Sequence, residues 1–145
     1  MKLLLTDEVD SSFNINFFDM LISAVIDKLK CDFSDECEIS LLITDDETIK
    51  ELNNDFRKIN KATDVLSFPM EEENMLGDIA ISLDTARRQA ADAEIALERE
   101  IAFLFIHGML HLLGYDHEEG PEEEKEMFAL QEEILKKLVD NGCIS

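Results

Sequence analysis

The sequence is poor in positive charge. It has 13 lysines and arginines against 34 acidic residues, which gives a formal net charge of -21 over 145 residues. A charge of this size keeps a protein soluble and repels polyanions. We therefore expect no broad basic surface for nucleic acid. A function on nucleic acid has to depend on a local basic patch or on the charge of a bound metal.

Features that mark secreted and membrane proteins are absent. The three cysteines, Cys31, Cys37 and Cys143, are odd in number, scattered and without a C-x-x-C pair. They predict free thiols in a reducing compartment, and their spacing gives no support to a cysteine as a fourth metal ligand. Asp7 and Glu8 stop the first apolar run, so we expect no signal peptide. No apolar stretch approaches the length of a bilayer span. The sequence predicts a cytoplasmic protein.

Repeats, linkers and low-complexity tracts are also missing. With 46% hydrophobic and 32% charged residues, the composition is typical of a soluble globular protein. The length predicts a single domain over residues 1–145. The acidic clusters at 71–73 and 122–124 lack the alternating ligands and central glycine of a calcium loop, so we interpret them as solvated positions.

Histidine is scarce, and its three occurrences lie in the segment from Glu98 to His117, EREIAFLFIHGMLHLLGYDH. His107 and His111 are four residues apart and share one face of a helix. Gly114 predicts a left-handed helix end that turns the chain, so that His117 approaches the same point. Three histidine ligands and an open fourth position are typical of a catalytic zinc. The alternative, ordinary core histidines, is less compatible with this spacing.

The spacing H-x-x-x-H-x-x-G-x-x-H is that of the long zinc motif of metzincin proteases. One position departs from that motif. Gly108 follows the first histidine, where the proteases have the glutamate that acts as general base. Glycine cannot accept a proton, so the pattern predicts the metal geometry of a metzincin without its protease base. A metalloprotease remains an alternative, against which Gly108 speaks.

Hydrophobic periodicity predicts the element order β-α-β-α-β-β-α-α-α. The predicted strands cover 2–6, 37–44, 64–68 and 77–82, and the predicted helices cover 16–31, 45 to about 56, 82 or 84 through 91, 101–113 and 121 onwards. The pattern leaves open whether one long helix or two cover the region around 92–94. The fold class is α+β, an α/β sandwich with one mixed sheet of about four strands and the histidine helix at its centre.

Some finer expectations concern the middle of the chain. The core face of the second helix is predicted to be Ile49, Leu52 and Phe56. A polar, basic connection is expected at 57–62. Pro69 favours an edge strand or a strand end, and residues 70–75 are expected to form an acidic loop.

Two further stretches join the histidine block: NNDFRKINKATDVLSFP at 53–69 and LGDI at 76–79, followed later by MFALQEEIL. Together, from about residue 52 to 135, they resemble the YbeY family of bacterial metal-dependent endoribonucleases. The resemblance implies a metzincin-like zinc site and cleavage of single-stranded RNA. It implies roles in ribosome quality control and ribosomal RNA maturation, notably at the 3′ end of the small-subunit RNA. It also implies contacts with a small-subunit ribosomal protein and an Era-type GTPase.

By residue, the resemblance places the metal ligands at His107, His111 and His117, and the family's functional arginine at Arg57. A guanidinium can clamp two phosphate oxygens and offset charge in the transition state, so we predict a catalytic role for Arg57. Without the resemblance, Arg57 is interpreted as a surface arginine.

Other assignments stay open. Lys58 and Lys61 are candidates for tracking RNA, with a plain solvated surface as the equal alternative, and Arg87-Arg88 is a second basic pair. Asp116 adjoins a predicted ligand and is a candidate for orienting an imidazole. The base is undecided. Asp78 is a candidate by resemblance, zinc-bound hydroxide needs no separate base, and the 2′-hydroxyl of RNA is another nucleophile. A different class, a ribosome-assembly binding factor with a structural zinc, is favoured by the acidic charge.

Overall fold

The computed structural model describes residues 1–115 and 120–145. Within these ranges the elements follow the predicted order. They are β1 (Lys2–Asp7), α1 (Ile15–Leu29), β2 (Glu38–Thr44), α2 (Asp46–Arg57), β3 (Val65–Glu72), β4 (Met75–Ser82), α3 (Leu83–Ala93), α4 (Leu97–Leu112) and α5 (Pro121–Asp140). No helix in the described ranges is long and apolar enough to cross a bilayer.

The strands form one mixed sheet in the order β1-β2-β4-β3. The pairs β1–β2 and β2–β4 are parallel, and β3 runs antiparallel to β4. The predicted fold class, an α+β fold with one mixed sheet of four strands, is therefore confirmed. Its edge strands are β1 and β3.

The two faces of the sheet differ in how they are covered. Ile39, Leu41 and Ile43 alternate along β2 and are fully buried in the main core, together with Ile79 and Ile81 of β4. Helices α1, α4 and α5 contribute to this core, and α4 is buried on most of its sides, as predicted. On the opposite face, α2 packs a smaller cluster made of Ile49, Leu66 and Ala80.

Local hydrogen bonds explain where the helices begin and end. The Asp45 carboxylate accepts the Thr48 N–H at 2.9 Å and caps α2, and Ser82 caps α3 through the Thr85 N–H at 3.3 Å. Glu94 has a left-handed φ of 56° and ends α3, so the region around 92–94 contains the boundary between two helices. Pro121 begins α5, where its missing N–H costs no intrahelical bond.

Two predictions for the second helix were wrong. Phe56 is 68% exposed and does not belong to the core. Its ring meets Phe68 at a centroid distance of 5.2 Å over the edge strand β3, where the sheet ends. Arg57 is the last residue of α2 and not part of the connection, because the left-handed residue that stops the helix is Lys58 (φ 59°).

The predicted end of β3 at Pro69 was also wrong. The strand continues to Glu72, and β4 begins at Met75, so most of the expected acidic loop belongs to a hairpin. Proline lacks a backbone N–H, and the outer edge of an edge strand does not need one. The edge position itself agrees with the prediction, and the pairing register shifts between Pro69 and Glu72. The three cysteines are free, as predicted.

Candidate metal centre

Two of the three histidines lie side by side on α4. The rings of His107 and His111 have centroids 4.7 Å apart and planes inclined by 72°, and both side chains are half-buried. The predicted third ligand, His117, and the predicted orienting residue, Asp116, lie outside the described residues. Among residues 1–115 and 120–145, no group of three or more His, Cys, Asp or Glu is placed to hold a metal. The described part of the site is thus a two-imidazole pair.

The chain turns after this pair, as predicted. Helix α4 ends at Leu112, and Gly114 adopts a left-handed φ of 100°. A Cβ at Gly114 would meet nothing within 4 Å, so the glycine is required by its backbone conformation and not by lack of space. The Tyr115 N–H then bonds the Leu110 carbonyl at 3.0 Å, which closes the helix end.

Gly108 brings α4 close to the sheet. A Cβ at this position would lie 3.1 Å from Ile79 Cγ2 and from Ser67 Oγ, and the Ser67 hydroxyl donates to the Gly108 carbonyl at 3.2 Å. Any larger side chain at position 108 would therefore place its Cβ in tight contact with β3 and β4. The place where metzincin proteases have their base is therefore occupied by helix–sheet packing, which gives a physical reason for the departure seen in the sequence.

Gln131 contacts the pair and was missed as a site residue. It lies on α5, is 1% exposed, and its Nε2 is 3.0 Å from Nδ1 of His107. Its Oε1 is buried and has no hydrogen-bond partner among the described residues. The sequence does contain a signal. Gln131 is polar at a position where the spacing of Met127, Ile134 and Leu138 predicts an apolar residue.

The predicted RNA-contacting cations lie together on another element. Arg57, Lys58 and Lys61 are exposed at the carboxyl end of α2. Asn53, which is 3% exposed, donates through Nδ2 to the Lys61 carbonyl at 2.8 Å and holds the following loop against the helix. Helix α2 and the histidine helix α4 cover opposite faces of the sheet, with β3 at the edge.

A family model described as Endoribonuclease YbeY matches residues 5–139. The chain belongs to the YbeY family. It is 54% identical over 105 residues to Endoribonuclease YbeY of Aquifex aeolicus, with 70% of each chain covered. It is 41% identical over 144 residues to that of Persephonella marina, covering 94% of this chain and 92% of the relative. The solution structure of TM1509 from Thermotoga maritima is similar with a TM-score of 0.67 at 30% identity, covering 97% of this chain and 91% of that one.

Two other candidates of this YbeY-family chain lie away from the histidines. In the strand register, Asp78 lies opposite Ser40 of β2 and Phe68 of β3. Its neighbour Ile79 contacts α4, and successive residues of a strand point to opposite faces, so Asp78 lies on the face that α2 covers. This placement argues against Asp78 as a base for a metal held on α4. Arg88 donates to Asp46 Oδ2 at 2.8 Å and thereby ties α3 to α2.

One carboxyl on the histidine helix is perturbed. Glu100 lies on α4, seven residues before His107, and is 9% exposed. Burial raises the pKa of its carboxyl, and the nearby charge of Asp64 raises it further. Both effects favour the protonated form of Glu100 more than in an exposed glutamate.

Proposed function

We propose that this protein is a metal-dependent endoribonuclease that cleaves single-stranded RNA. The observation that carries the proposal is the pair of adjacent imidazoles, 4.7 Å apart, on the buried central helix of a chain whose relatives are named Endoribonuclease YbeY. The metal-ligand spacing of the sequence and the family membership support the same chemistry.

The donor set fits a zinc ion. His107 and His111 would hold it from α4, and His117 would complete the set after the Gly114 turn. Neutral imidazoles are preferred zinc ligands, and neighbouring rings on one helix face converge without strain. When bound, a zinc ion supplies Lewis-acid chemistry, activating water and polarising a phosphoryl oxygen.

The exposed cations at the end of α2 are proposed to bind the RNA backbone. Arg57 would clamp two phosphate oxygens with its planar guanidinium and offset charge as it develops. Lys58 and Lys61 would add single contacts to neighbouring phosphates. The hydrogen bond from Asn53 to the Lys61 carbonyl keeps the three cations on one short, ordered segment.

The general base is not assigned to a side chain of the described residues. Gly108 has none to offer, and Asp78 lies on the opposite sheet face. The proposal therefore leaves two nucleophiles, a metal-activated water and the 2′-hydroxyl of the RNA. Asp116 is proposed to orient an imidazole and not to accept the proton.

The biological role proposed for this activity is ribosomal RNA maturation, at the 3′ end of the small-subunit RNA, and ribosome quality control in the cytoplasm. The resemblance of the segments at 53–69 and 107–117 supports it. A small-subunit ribosomal protein and an Era-type GTPase are the proposed partners on the same ground.

The two alternatives are weaker for physical reasons. A metalloprotease needs a base beside the first histidine, and Gly108 packs against the sheet there. A binding factor with a structural zinc agrees with the charge of -21, yet structural zinc sites usually have four protein ligands.

The test is cleavage of an unstructured RNA by zinc-loaded protein. We expect His111→Ala to abolish cleavage while the far-ultraviolet dichroism of the fold is retained. Gln89→Leu, a change on α3 away from the histidines, serves as the control and should cleave normally. Equal activity in His111→Ala would point to a contaminating nuclease and overturn the proposal.

Zinc removal separates a catalytic ion from a structural one. A catalytic site should lose cleavage while the helix signal stays, whereas a structural site should lose much of the fold. Incubation with unfolded casein tests the protease alternative, which metal-dependent proteolysis would favour.

A further inference from the structure

The contact between Gln131 and His107 joins α5 to the metal helix deep inside the protein. Nδ1 of His107 lies 3.0 Å from the Gln131 amide, and Nε2 is on the other side of the same ring. Gln131 is 1% exposed, so water does not compete for this contact. The partner on Nδ1 therefore favours one position of the ring proton over the other.

Two amide orientations have opposite consequences. With Nε2 of Gln131 towards the ring, Nδ1 of His107 accepts, and a neutral imidazole then carries its proton on Nε2. With the amide turned over, Oε1 of Gln131 accepts the proton that His107 holds on Nδ1. Nε2 of His107 then has a lone pair. The nitrogen and oxygen of an amide are distinguished by their hydrogen-bond network, and only the second arrangement permits a metal at Nε2.

The amide is also expensive to bury. With Nε2 towards His107, as the structure places it, Oε1 of Gln131 has no partner among the described residues. Turning the amide over pairs Oε1 with the ring but puts Nε2 in the unpartnered place, so either orientation buries one unsatisfied polar atom at a cost of about 1–3 kcal/mol. The flanking core positions on α5, Met127 and Ile134, are apolar. A leucine at position 131 would match this stripe and avoid the penalty. A polar side chain buried among apolar neighbours needs a specific explanation.

We infer that Gln131 is a positioning residue of the metal centre: its amide fixes the ring and the tautomer of His107 so that Nε2 is available to the metal. The inference rests on the proposed function, because it assumes that His107 is a ligand. It makes α5 part of the metal centre, although α5 lies outside the three-histidine motif. Metal-ligating histidines commonly donate their other N–H to such an oxygen.

The experiment compares Gln131→Leu and Gln131→Glu with the wild type. Leucine removes the acceptor at similar volume, whereas glutamate keeps an oxygen in its place. We expect Gln131→Leu to weaken zinc binding, measured by competition with a chelator, by about 10–100-fold. Gln131→Glu should bind within about threefold of the wild type or more tightly, because a carboxylate accepts the Nδ1 proton at least as well. Gln89→Leu is the matched control and should leave zinc affinity unchanged.

A second readout does not need the metal. Nitrogen-15 NMR of the imidazoles, at about pH 8 where unperturbed histidines are neutral, reports the tautomer of His107 in metal-free protein. We expect mainly the Nδ1–H form in the wild type and in Gln131→Glu, and a mixture in Gln131→Leu. Unchanged zinc affinity and an unchanged tautomer in Gln131→Leu would overturn the assignment of Gln131. A wild type that binds no zinc would instead overturn the proposed metal site, whatever the tautomer shows.

Discussion

Arg57 is the residue whose proposed role differs most from simple binding. A clamp on developing charge acts mainly in the transition state, so its removal affects the rate more than the affinity. We predict that Arg57→Ala lowers single-turnover cleavage by about 100–1,000-fold and RNA affinity only a few-fold. Arg57→Lys keeps the charge but not the two-pronged geometry, and should give an intermediate rate.

The measurement is the cleavage rate at saturating RNA beside equilibrium binding of the same RNA. Zinc content and melting temperature should barely change, since Arg57 is exposed and is not a predicted ligand. If Arg57→Ala loses binding but cuts at the normal rate once saturated, Arg57 merely holds RNA and its catalytic role has been misassigned.

Gly108 shows how one residue distinguishes this histidine motif from that of the metzincin proteases. Gly108 lets α4 lie against Ser67 and Ile79, which removes the protease base and fixes the histidine helix on the sheet. Gln131 contacts the first histidine from α5. The two contacts show that both neighbouring elements, the sheet and α5, pack directly against the histidine segment of α4.

At the level of elements, the first residue of α2 joins two helices. Oδ1 of Asp46 accepts from Ser82 Oγ and Thr85 Oγ1, both at 2.6 Å, and its Oδ2 accepts from Arg88. Burial alone would raise the pKa of this carboxyl. The hydrogen bonds and the positive charge of Arg88 have the larger combined effect, so the pKa of Asp46 is lowered from its ordinary value. The start of α2 is thereby tied to the start of α3.

We predict that Asp46→Asn lowers the free energy of unfolding by about 1–3 kcal/mol at neutral pH, since hydrogen bonds to a charged group are lost. Because the folded pKa is lowered, the unfolded state takes up the proton first as the pH falls. The stabilisation is present above the unfolded value of 3.8 and is lost as the pH falls through the folded pKa. The gap between wild type and variant should therefore narrow below about pH 4.

Urea unfolding at neutral and acidic pH measures this gap. Glu47→Gln changes the same charge in the same helical turn at an exposed position, so it is the matched control and should shift stability by less than about 0.5 kcal/mol. A gap between Asp46→Asn and wild type that is independent of pH would contradict an ionic origin for the stabilisation.

Helices and strands were predictable wherever a single hydrophobic periodicity, helical or alternating, dominated the segment. The alternation Ile39-Leu41-Ile43 is enough to predict the buried face of β2, and the polar residues at 45 and at 82 or 84 predicted the starts of two helices to within about two residues, because these are local effects. Phe56 failed for a non-local reason. Its place on the apolar side of α2 is correct, yet the sheet ends beneath it, and the position of a sheet edge follows from strand order.

The site was predictable in part for the same reason. The four-residue spacing places His107 and His111 on one face, which one helix determines alone. The contact from Gln131 depends on how α5 crosses α4, and Asp78 could be set apart from the histidines only once the face of β4 was known. Pairings between distant elements are not encoded in any local period.

For the whole molecule, the net charge of -21 limits where RNA would be able to bind, because most of the surface repels a polyanion. Among the described residues, Lys28 and Arg88 form salt bridges with Glu133 and Asp46. Arg57, Lys58 and Lys61 lie close together and exposed at the end of α2, which makes this segment a local basic cluster on an acidic chain. RNA should be repelled by most of the protein and attracted to this one end of α2.

We predict a shallow dependence of RNA affinity on salt. Each neutralised phosphate of a single strand contributes a slope of about 0.7 in log affinity against log salt, so two to four contacts give about 1.4–2.8. Added salt also screens the repulsion between RNA and the acidic surface, which flattens the slope further.

Replacing Lys58 and Lys61 together with alanine should lower the slope by about 1.4. The equivalent change at Lys136 and Lys137, adjacent exposed lysines of α5, is the control and should leave it unaltered. A slope well above 3 in the wild type, or an equal loss in the control, would mean that RNA contacts a far wider surface than the end of α2.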